Sequence, residues 1–316
     1  MYTYDDVSNG TEFELKHFKL AEEDIKFRTR KISIPIIKSA ISVAADKISL
    51  FGSAWGPPAW MKTNNGIKDV AELKGSVDGP YYKTWARYAV KFLESYRSHG
   101  IEMWGMTAEN EPLSARTHLV WWNSLGFTAE TQRDFIKLHL GPALAKSGYT
   151  SDKFHLMIFD DQLPLLPKFA EKVYADNDAS KYISRAAFHW YANYLNAYAL
   201  LEKVHQKFPD KFLLATEACE GSIPGFRGVR LGSWSRLVSY AMDIMEDLNN
   251  FAAGWVDWNI ALELNGGPNW AENFVDAPII VNKEQGEYCK NPMFYAMGHF
   301  SKFIKRSSRR VQFKEQ

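Results

Sequence analysis

Cysteine is scarce in this chain, which narrows the kinds of site that it can hold. Only two cysteines, Cys219 and Cys289, occur in 316 residues. Two cysteines cannot form the disulfide framework of a small secreted domain, and their spacing is not the CxxC pattern of zinc or redox sites. The eight histidines are scattered singly, and the sequence has no HExxH, P-loop or GxGxxG pattern. We therefore expect neither a metal ion nor an organic cofactor.

Long apolar runs and an excess of charge of either sign are also missing. No stretch approaches the roughly 18 apolar residues of a membrane-spanning helix, and the first residues do not form a signal-peptide pattern. The 38 Lys and Arg residues nearly balance the 37 Asp and Glu residues and leave a net charge of +1. A chain with so little net charge has no overall positive electrostatic field that would attract nucleic acid. We expect no membrane span, no signal peptide in these residues and no nucleic-acid partner.

Aromatic residues, by contrast, are abundant. They make up 15% of the chain, as 11 Trp, 15 Tyr and 20 Phe. Such rings stack on flat, hydroxyl-rich ligands when polar groups surround them, whereas the alternative interpretation is a large apolar core. No repeat, low-complexity tract or linker divides the sequence. We therefore expect one continuous domain.

Two hydrophobic periods alternate along the chain. Short apolar runs bounded by turn residues predict strands at 48–54, 101–108, 154–159, 186–189, 212–216 and 254–258. Apolar residues at helical spacing predict helices at 32–44, 85–96, 128–146 with Thr128 as N-cap, 164–174, 193–208 and 234–250. Repeated strand and helix units without a dinucleotide fingerprint predict an α/β protein of the (β/α)8 TIM-barrel type. Six strands are found where a complete barrel has eight.

Acidic and aromatic side chains follow the predicted strands. Reacting groups lie at the carboxyl ends of the strands in such barrels. Those ends carry Trp55, Glu109 to Pro112, Asp160-Asp161, His189-Trp190-Tyr191, Glu217 to Cys219 and Trp258-Asn259. Two carboxylates from different strands are the minimum for hydrolysing a glycosidic bond, and Glu111 and Glu217 fit that need. We expect Pro112 to keep Glu111 out of helical geometry and to hold its side chain at a fixed point.

Two other chemistries compete with this interpretation. Cys219 with His189 could act as nucleophile and base, but neither residue sits in a local signature of a cysteine hydrolase. A cysteine at a strand end is more often a small buried filler. Asp160-Asp161 resembles a metal-ligand pair, although a hydrogen-bonded strand terminus explains it better. We therefore favour the glutamate pair over thiol or metal catalysis.

Several long motifs lie along the chain. They are TAENEP (107–112), HWY (189–191), ATEACEG (215–221), GWVDWN (254–259) and GGPNWAENFVD (266–276), together with the segments FGSAWGPPAWMKTN (51–64) and MFYAMGHFSKFI (293–304). These motifs resemble glycoside hydrolase family 30, and within it the lysosomal acid β-glucosidases or glucosylceramidases. The resemblance extends over essentially the whole chain.

The resemblance implies a retaining hydrolase of glucosylceramide. It makes Glu111 the acid/base, Glu217 the nucleophile and Asn110 the partner of the sugar 2-hydroxyl. The other implied substrate-binding residues are Trp55, Tyr191, Trp258, Asn273 and Phe274. His189, Trp190 and Cys219 would form the wall behind them. Retention requires the two reacting carboxyls to lie about 5 to 5.5 Å apart.

The chain also departs from the family pattern. The first two barrel strands, one of which brings a sugar-binding aspartate, and the accessory β-sandwich have no counterpart in the sequence. We therefore predict a catalytic barrel over 1–316 that is incomplete at its amino terminus, with 292–316 as the start of the missing sandwich region. The alternatives are an inactive truncated barrel or pseudoenzyme, and a family member that acts on another β-linked glycan.

The resemblance further implies where the protein works and with what. It points to glucosylceramide or a related β-glucoside as the ligand, with a saposin-type activator and an anionic lipid surface as partners. It also implies a lysosomal or secretory-pathway location. Asn9-Gly10-Thr11 is an acceptor pattern for N-glycosylation, which agrees with that location but is common by chance.

Overall fold

Short strands alternate with helices through most of the chain. The structure is a computed structural model, and it describes residues 3–6, 13–25, 33–117, 120–193, 197–223 and 225–311. The chain forms two compact units. Unit 1 comprises Met1–Asp161 and Leu165–Ala187, and unit 2 comprises Gln162–Pro164 and Phe188–Gln316. The acceptor pattern at Asn9 lies outside the described residues.

The described elements follow the order expected of a barrel protein. The strands are β1 (Phe51–Gly52), β2 (Gly105–Thr107), β3 (His155–Gln162), β4 (Ile183–His189), β5 (Phe212–Glu217), β6 (Ala252–Trp255), β7 (Ala261–Glu263), β8 (Ile279–Asn282) and β9 (Glu287–Lys290). The α-helices are α1 (Glu22–Ile25), α2 (Ser33–Val43), α3 (Pro80–Ser98), α4 (Ala129–Phe135), α5 (Gly141–Lys146), α6 (Leu166–Tyr174), α7 (Asn177–Ser180), α8 (Ala199–Lys207), α9 (Trp234–Asn249) and α10 (Pro292–Phe303). A π-helical turn at Ile136–Leu140 joins α4 to α5.

Unit 1 holds β1, β2, β3 and most of β4. The pairs β1–β2 and β2–β3 are parallel, with Gly105 of β2 opposite both Phe51 and His155. Helix α3 begins at Pro80, where the missing N–H costs nothing, and it turns its aromatic and apolar stripe inward. Helix α4 begins after Thr128, whose side chain accepts a hydrogen bond from the backbone of Thr131 in a capping box. Parallel pairing and helical crossovers together give the alternating layers of an α/β fold.

Unit 2 holds the last two residues of β4 together with β5 and β6. The strand order of the main sheet follows the chain from β1 to β6. Strands β5 and β6 are parallel, and the Thr216 hydroxyl donates to the carbonyl of Phe188 at 3.2 Å. A second sheet joins β7, β8 and β9, with β7–β8 parallel and β8–β9 antiparallel. Its apolar residues pack with Cys219 in one buried cluster.

The element predictions are confirmed in kind and corrected in extent. All six predicted strands correspond to β1 through β6, and the helix over 128–146 is continuous apart from its π-helical turn. The last strand ends at Trp255, so Trp258 lies beyond it and not within it. The first strand is only Phe51–Gly52, because few backbone pairs form there. The small sheet was missed, since strands of three or four residues are too short to show a period.

No helix within the described part of the chain combines the length and apolar character needed to cross a bilayer. This finding concerns helices only. The longest described helix, α3, carries charged residues along its length, including Lys83, Arg87 and Lys91.

Candidate active site

The backbone around Glu111 is fixed by hydrogen bonds that continue past the end of β2. The N–H of Ala108 donates to Met157 at 2.8 Å, and that of Asn110 donates to Ala54 at 2.9 Å. The N–H of Glu111 donates to the carbonyl of Asp160 at 2.8 Å. The segment is therefore tied to the ends of both neighbouring strands of unit 1, and Glu111 cannot shift without breaking these bonds.

The same backbone is strained. Glu111 has φ 46, and Phe159 and Asp160 have φ 75 and φ 58. Each of these left-handed conformations costs on the order of 1 to 3 kcal/mol for a residue with a side chain, and such strain clusters at functional sites. The expectation that Glu111 leaves right-handed helical geometry before Pro112 is confirmed.

Burial distinguishes the two glutamates of the motif at 107–112. Glu109 is 0% exposed, and burial raises the pKa of its carboxyl well above the usual value. Glu111 is half-buried. A side chain that reaches solvent can exchange protons with a substrate and with water, so its partial exposure makes Glu111 the better candidate of the two.

Asp160 and Asp161 anchor the loop that follows Glu111. The Asp161 carboxylate accepts hydrogen bonds from the N–H groups of Leu113 and Ser114 at 2.8 and 2.9 Å, and from the Ser114 hydroxyl at 2.7 Å. Asp160 Oδ2 accepts from the hydroxyl of Ser53 at 2.8 Å. The interpretation of this pair as a hydrogen-bonded strand terminus is confirmed.

Trp55 lies just after β1, and Asn110 lies just after β2. The bond from Asn110 N to Ala54 O places the residue before Trp55 against the Glu111 segment. Asn110 is buried and Trp55 is half-buried. Unit 1 therefore brings together three of the residues that the sequence singles out: Trp55, Asn110 and Glu111.

Glu217 is held differently, at the last position of β5 in unit 2. Its side chain is 9% exposed, and the hydroxyl of Tyr191 donates to Glu217 Oε1 at 3.0 Å. The N–H of Trp190 donates to the carbonyl of Glu217 at 3.2 Å. Regular strand geometry thus sets the direction of the Glu217 side chain, and Tyr191 sets the orientation of its carboxylate.

Cys219 and His189 line the same region but do not form a nucleophile and base. Cys219 is buried, and burial raises the pKa of its thiol. The Tyr191 hydroxyl lies 3.4 Å from Cys219 Sγ. The ring of His189 is fully buried and meets the Tyr191 ring edge-on, with centroids 6.1 Å apart. A thiol that stays protonated is a poor nucleophile, so the expectation of a buried filler is confirmed for Cys219.

Trp258 follows β6 and is supported by an aspartate that the sequence interpretation did not single out. The N–H of Trp258 donates to Ala218 O at 2.8 Å and to Asp257 Oδ1 at 2.9 Å. Asp257 also accepts from the hydroxyl of Tyr240 at 3.0 Å. Burial raises the pKa of Asp257 to about 7. The only sequence signal for Asp257 is its place directly before a candidate sugar-binding tryptophan.

Asn273 and Phe274 lie on the loop between β7 and β8. The N–H of Asn273 donates to Asn269 Oδ1 at 3.2 Å, and the Phe274 ring is exposed. Gly266 opens this loop with φ 83, and a Cβ on it would lie 2.5 Å from the carbonyl of Val275. Only glycine permits that approach, which brings the two ends of the loop together.

The chain matches one protein-family model over most of its length. The model describes the glycosyl hydrolase family 30 TIM-barrel domain, and it matches residues 1–304. The chain belongs to that family.

Named relatives sharpen the family assignment. The mouse (Mus musculus) protein named lysosomal acid glucosylceramidase is 46% identical over 312 residues, which cover 98% of this chain and 59% of the relative. The crystal structure of SrfJ from Salmonella typhimurium superposes with a TM-score of 0.80 at 29% identity, covering 95% of this chain and 62% of SrfJ. The endo-β1,6-glucanase BT3312 gives a TM-score of 0.77 at 25% identity, with coverage of 95% and 62%. The chain spans about three fifths of the length of these relatives.

Proposed function

We propose that the protein carrying this chain is a retaining β-glucosidase that hydrolyses glucosylceramide to glucose and ceramide. The observation that carries the proposal is the 46% identity with the mouse relative named lysosomal acid glucosylceramidase. The local geometry supports it, because Glu111 follows β2 in unit 1 and Glu217 ends β5 in unit 2, and each is held by contacts within its own unit. Strand ends are where barrel enzymes carry their reacting groups.

In the proposed first step, Glu217 attacks the anomeric carbon of glucose. The bond to the ceramide oxygen breaks as Glu111 gives that oxygen its proton, and a glucosyl ester of Glu217 remains. In the second step, Glu111 takes a proton from water, the water oxygen attacks the anomeric carbon, and the ester bond to Glu217 breaks. Both glutamates return to their starting states. Asn110 would bind the 2-hydroxyl, whose hydrogen bond strengthens in the transition state.

The Tyr191 hydroxyl supports the nucleophilic role of Glu217. It donates to Glu217 Oε1 at 3.0 Å. A hydrogen bond to a carboxylate stabilises its negative charge and fixes its rotamer. When the ester forms, that charge disappears.

Aromatic and amide side chains would bind the sugar. Trp55 and Trp258 are half-buried, as expected of rings that present one face to a ligand. Asn273 and Phe274 would border the entrance on their loop. His189, Trp190 and Cys219 would back the Tyr191 and Glu217 side chains, a role that their burial and ring contacts support.

A mechanism-based β-glucoside inhibitor that traps the glycosyl-enzyme tests this proposal. Incubation followed by peptide mass spectrometry should find one glucosyl adduct, on Glu217. An adduct on another side chain would remove the nucleophile assignment. Absence of both adduct and turnover would favour the inactive barrel or pseudoenzyme.

A second candidate is a hydrolase of another β-linked glycan. The structural similarity to the endo-β1,6-glucanase BT3312 favours this alternative. Hydrolysis rates on glucosylceramide, β-1,6-glucan and xylan would separate the candidates. We expect the glucosylceramide rate to be the highest, and a preference for either polysaccharide would replace the substrate assignment.

An exposed patch of unit 2 supports an anionic lipid surface as a partner. Ile223, Phe226, Leu231 and Trp234 are all exposed, and Arg227 and Arg230 are exposed between them. The sequence 223–235 contains no acidic residue. Apolar rings flanked by arginine suit an interface of acyl chains and anionic headgroups.

Sedimentation with lipid vesicles tests this partner. The protein should bind phosphatidylserine vesicles more than phosphatidylcholine vesicles, and Phe226→Ala with Trp234→Ala should reduce that binding. Equal binding of parent and variant would exclude the patch. Binding that requires an added saposin-type protein would make that activator the direct partner instead.

The location and domain assignments remain part of the proposal. The named mouse relative is lysosomal, which supports a lysosomal or secretory-pathway site and a role in sphingolipid breakdown. The match over 1–304 supports the assignment of 1–316 to a catalytic barrel. Residues 292–303 form α10, and we propose that 292–316 leads into the sandwich region of the family.

A further inference from the structure

Asp243 on α9 is a buried carboxylate that accepts three hydrogen bonds. It is 4% exposed, and its Oδ1 accepts from Asn193 Nδ2 at 2.8 Å and from the Tyr198 hydroxyl at 2.7 Å. Its Oδ2 accepts from Trp255 Nε1 at 2.7 Å. All three donors are neutral, and no ion pair of Asp243 occurs within the described ranges. Burying a charged group costs free energy because the group loses its contact with water. The presence of Asp243 at this buried position therefore calls for a structural explanation.

The three donors lie on two segments that contact β5, the strand that ends at Glu217. Asn193 and Tyr198 stand on the segment after β4, which also carries Tyr191. The N–H of Asn193 donates to Trp190 O at 2.9 Å, which folds this segment back on itself just beyond Tyr191. Trp255 is the last residue of β6. Asp243 therefore ties the segment after β4 and the end of β6 to one helix.

Aromatic packing connects the residues that are hydrogen-bonded to Asp243 with Tyr191. The Trp190 ring meets the rings of Tyr240 and Trp255 edge-on, with centroids 5.2 and 6.2 Å apart. Tyr191 follows Trp190 directly, and its hydroxyl lies 3.0 Å from Glu217 Oε1. A shift of Trp255 or of Asn193 would therefore move Trp190, and with it the tyrosine that orients Glu217.

A cavity of about 300 Å³ lies beside Asn193 and Tyr198, and Tyr191 and Asp243 also line it. A side chain that borders empty space lacks packing contacts on that side. The hydrogen bonds to Asp243 therefore help to hold Asn193 and Tyr198 in place.

We infer that Asp243 is a positioning residue for the proposed nucleophile. It holds Asn193, Tyr198 and Trp255 so that the Tyr191 hydroxyl stays within hydrogen-bonding distance of Glu217 Oε1. Asp243 itself touches neither Glu217 nor the sugar. The inference rests on the proposed function, since it assigns a purpose only if Glu217 is the nucleophile.

Asp243→Asn is the sharpest variant, because it keeps the shape but replaces one acceptor oxygen with a donor. The new NH2 group would face either Trp255 Nε1 or the Asn193 and Tyr198 donors. We expect kcat to fall on the order of 10- to 100-fold, as a misplaced reacting group causes, with KM changed less than about 2-fold. Tyr198→Phe removes one donor only and should give a smaller fall in kcat, so it serves if Asp243→Asn folds poorly.

Asp247→Asn is the matched control. Asp247 lies one turn further along α9 and is fully buried, and its carboxylate oxygens accept no hydrogen bond from the described residues. The same chemical change there leaves the Asn193, Tyr198 and Trp255 contacts intact. We expect kcat within about 2-fold of the parent, whatever happens to the melting temperature. A fall in kcat equal to that of Asp243→Asn would show a general packing effect and would overturn the inference.

A double-mutant cycle with Tyr191→Phe separates positioning from stability. If Asp243 acts through Tyr191, adding Asp243→Asn to Tyr191→Phe should lower kcat by less than about 2-fold. If the decrease in kcat of the double variant equals the product of the decreases of the two single variants, the inference is overturned, while Glu217 remains the proposed nucleophile. A parent protein with neither turnover nor an adduct on Glu217 would overturn the proposed function, and the inference with it.

Discussion

The two candidate catalytic glutamates are held by opposite means. Glu111 stands beyond the end of β2 on a strained backbone with φ 46, and main-chain hydrogen bonds fix its position. Glu217 is the last residue of a regular strand, and a side-chain donor, Tyr191, fixes its carboxylate. Backbone hydrogen bonds therefore fix Glu111, whereas the hydroxyl of Tyr191 fixes the carboxylate of Glu217.

The difference matches the chemistry proposed for each group. An acid/base must exchange protons first with the leaving oxygen and then with water, so a half-buried side chain on a rigid corner suits it. A nucleophile must bring one oxygen to one carbon at one angle, so a donor that fixes the orientation of its carboxylate suits it. In the proposed mechanism, the backbone hydrogen bonds at Glu111 and the Tyr191 hydrogen bond at Glu217 both hold a reacting group in place.

The strongest test of the comparison is Glu217→Gln. The amide cannot form the glycosyl ester, so kcat on glucosylceramide should fall by at least about 10³-fold for every leaving group. Steady-state hydrolysis with ceramide and with an activated phenol as leaving group measures it. Near-normal turnover by this variant would end the proposed mechanism.

Glu111→Gln should separate the two roles. Loss of the acid should lower hydrolysis of glucosylceramide by about 10² to 10⁴-fold. An activated phenol needs no proton to leave, so its burst of release should persist while turnover slows at the second step. A burst that disappears together with turnover would contradict the assignment of Glu111 as acid/base.

Asp161→Asn tests the backbone side of the comparison. The Asp161 carboxylate accepts three hydrogen bonds from Leu113 and Ser114. An amide there can accept fewer, so we expect the free energy of unfolding to fall by about 2 kcal/mol. Urea unfolding of the variant measures this loss, with Ser114→Ala as a control that removes only the hydroxyl bond and costs less.

Asp257→Asn should change how the free energy of unfolding depends on pH. The folded-state pKa of Asp257 is raised to about 7, whereas a free Asp titrates near 3.9. Between these values the folded protein keeps a proton that the unfolded chain has released, so stability falls as pH rises from about 4 to about 7. The variant should lose this slope, which is at most about 1.4 kcal/mol per pH unit.

Chemical denaturation at several pH values measures the slope. The parent and Asp257→Asn should have similar free energies of unfolding near pH 4 and should diverge toward pH 7, with the variant the more stable. Parallel curves would show that Asp257 does not titrate in this range.

Local patterns account for what the sequence predicts well. The apolar spacing of α3 and the hydroxyl at Thr128 act within a few residues, so both helices could be identified and the N-cap placed. The candidate glutamates could be found because long motifs surround them. In each case the information lies in neighbouring residues.

Tertiary contacts account for what the sequence does not predict. Asp243 depends on donors 45 to 50 residues away toward the amino terminus, and on Trp255 at the end of β6. Asp257 depends on the burial created by Tyr240 and its surroundings. The left-handed φ at Phe159 could not be predicted from its residue type, because a bulky aromatic residue disfavours that conformation. These features arise only when distant segments pack together.

The two cysteines of this chain differ sharply in access, and the difference has a practical use. Cys289 is exposed on β9, whereas Cys219 is buried beside Tyr191. A maleimide dye should therefore attach at Cys289 alone while the fold is intact, without any engineered thiol. The slower rate of labelling at Cys219 would then report how often the surroundings of Glu217 open. Cys289 serves as the internal reference for that rate.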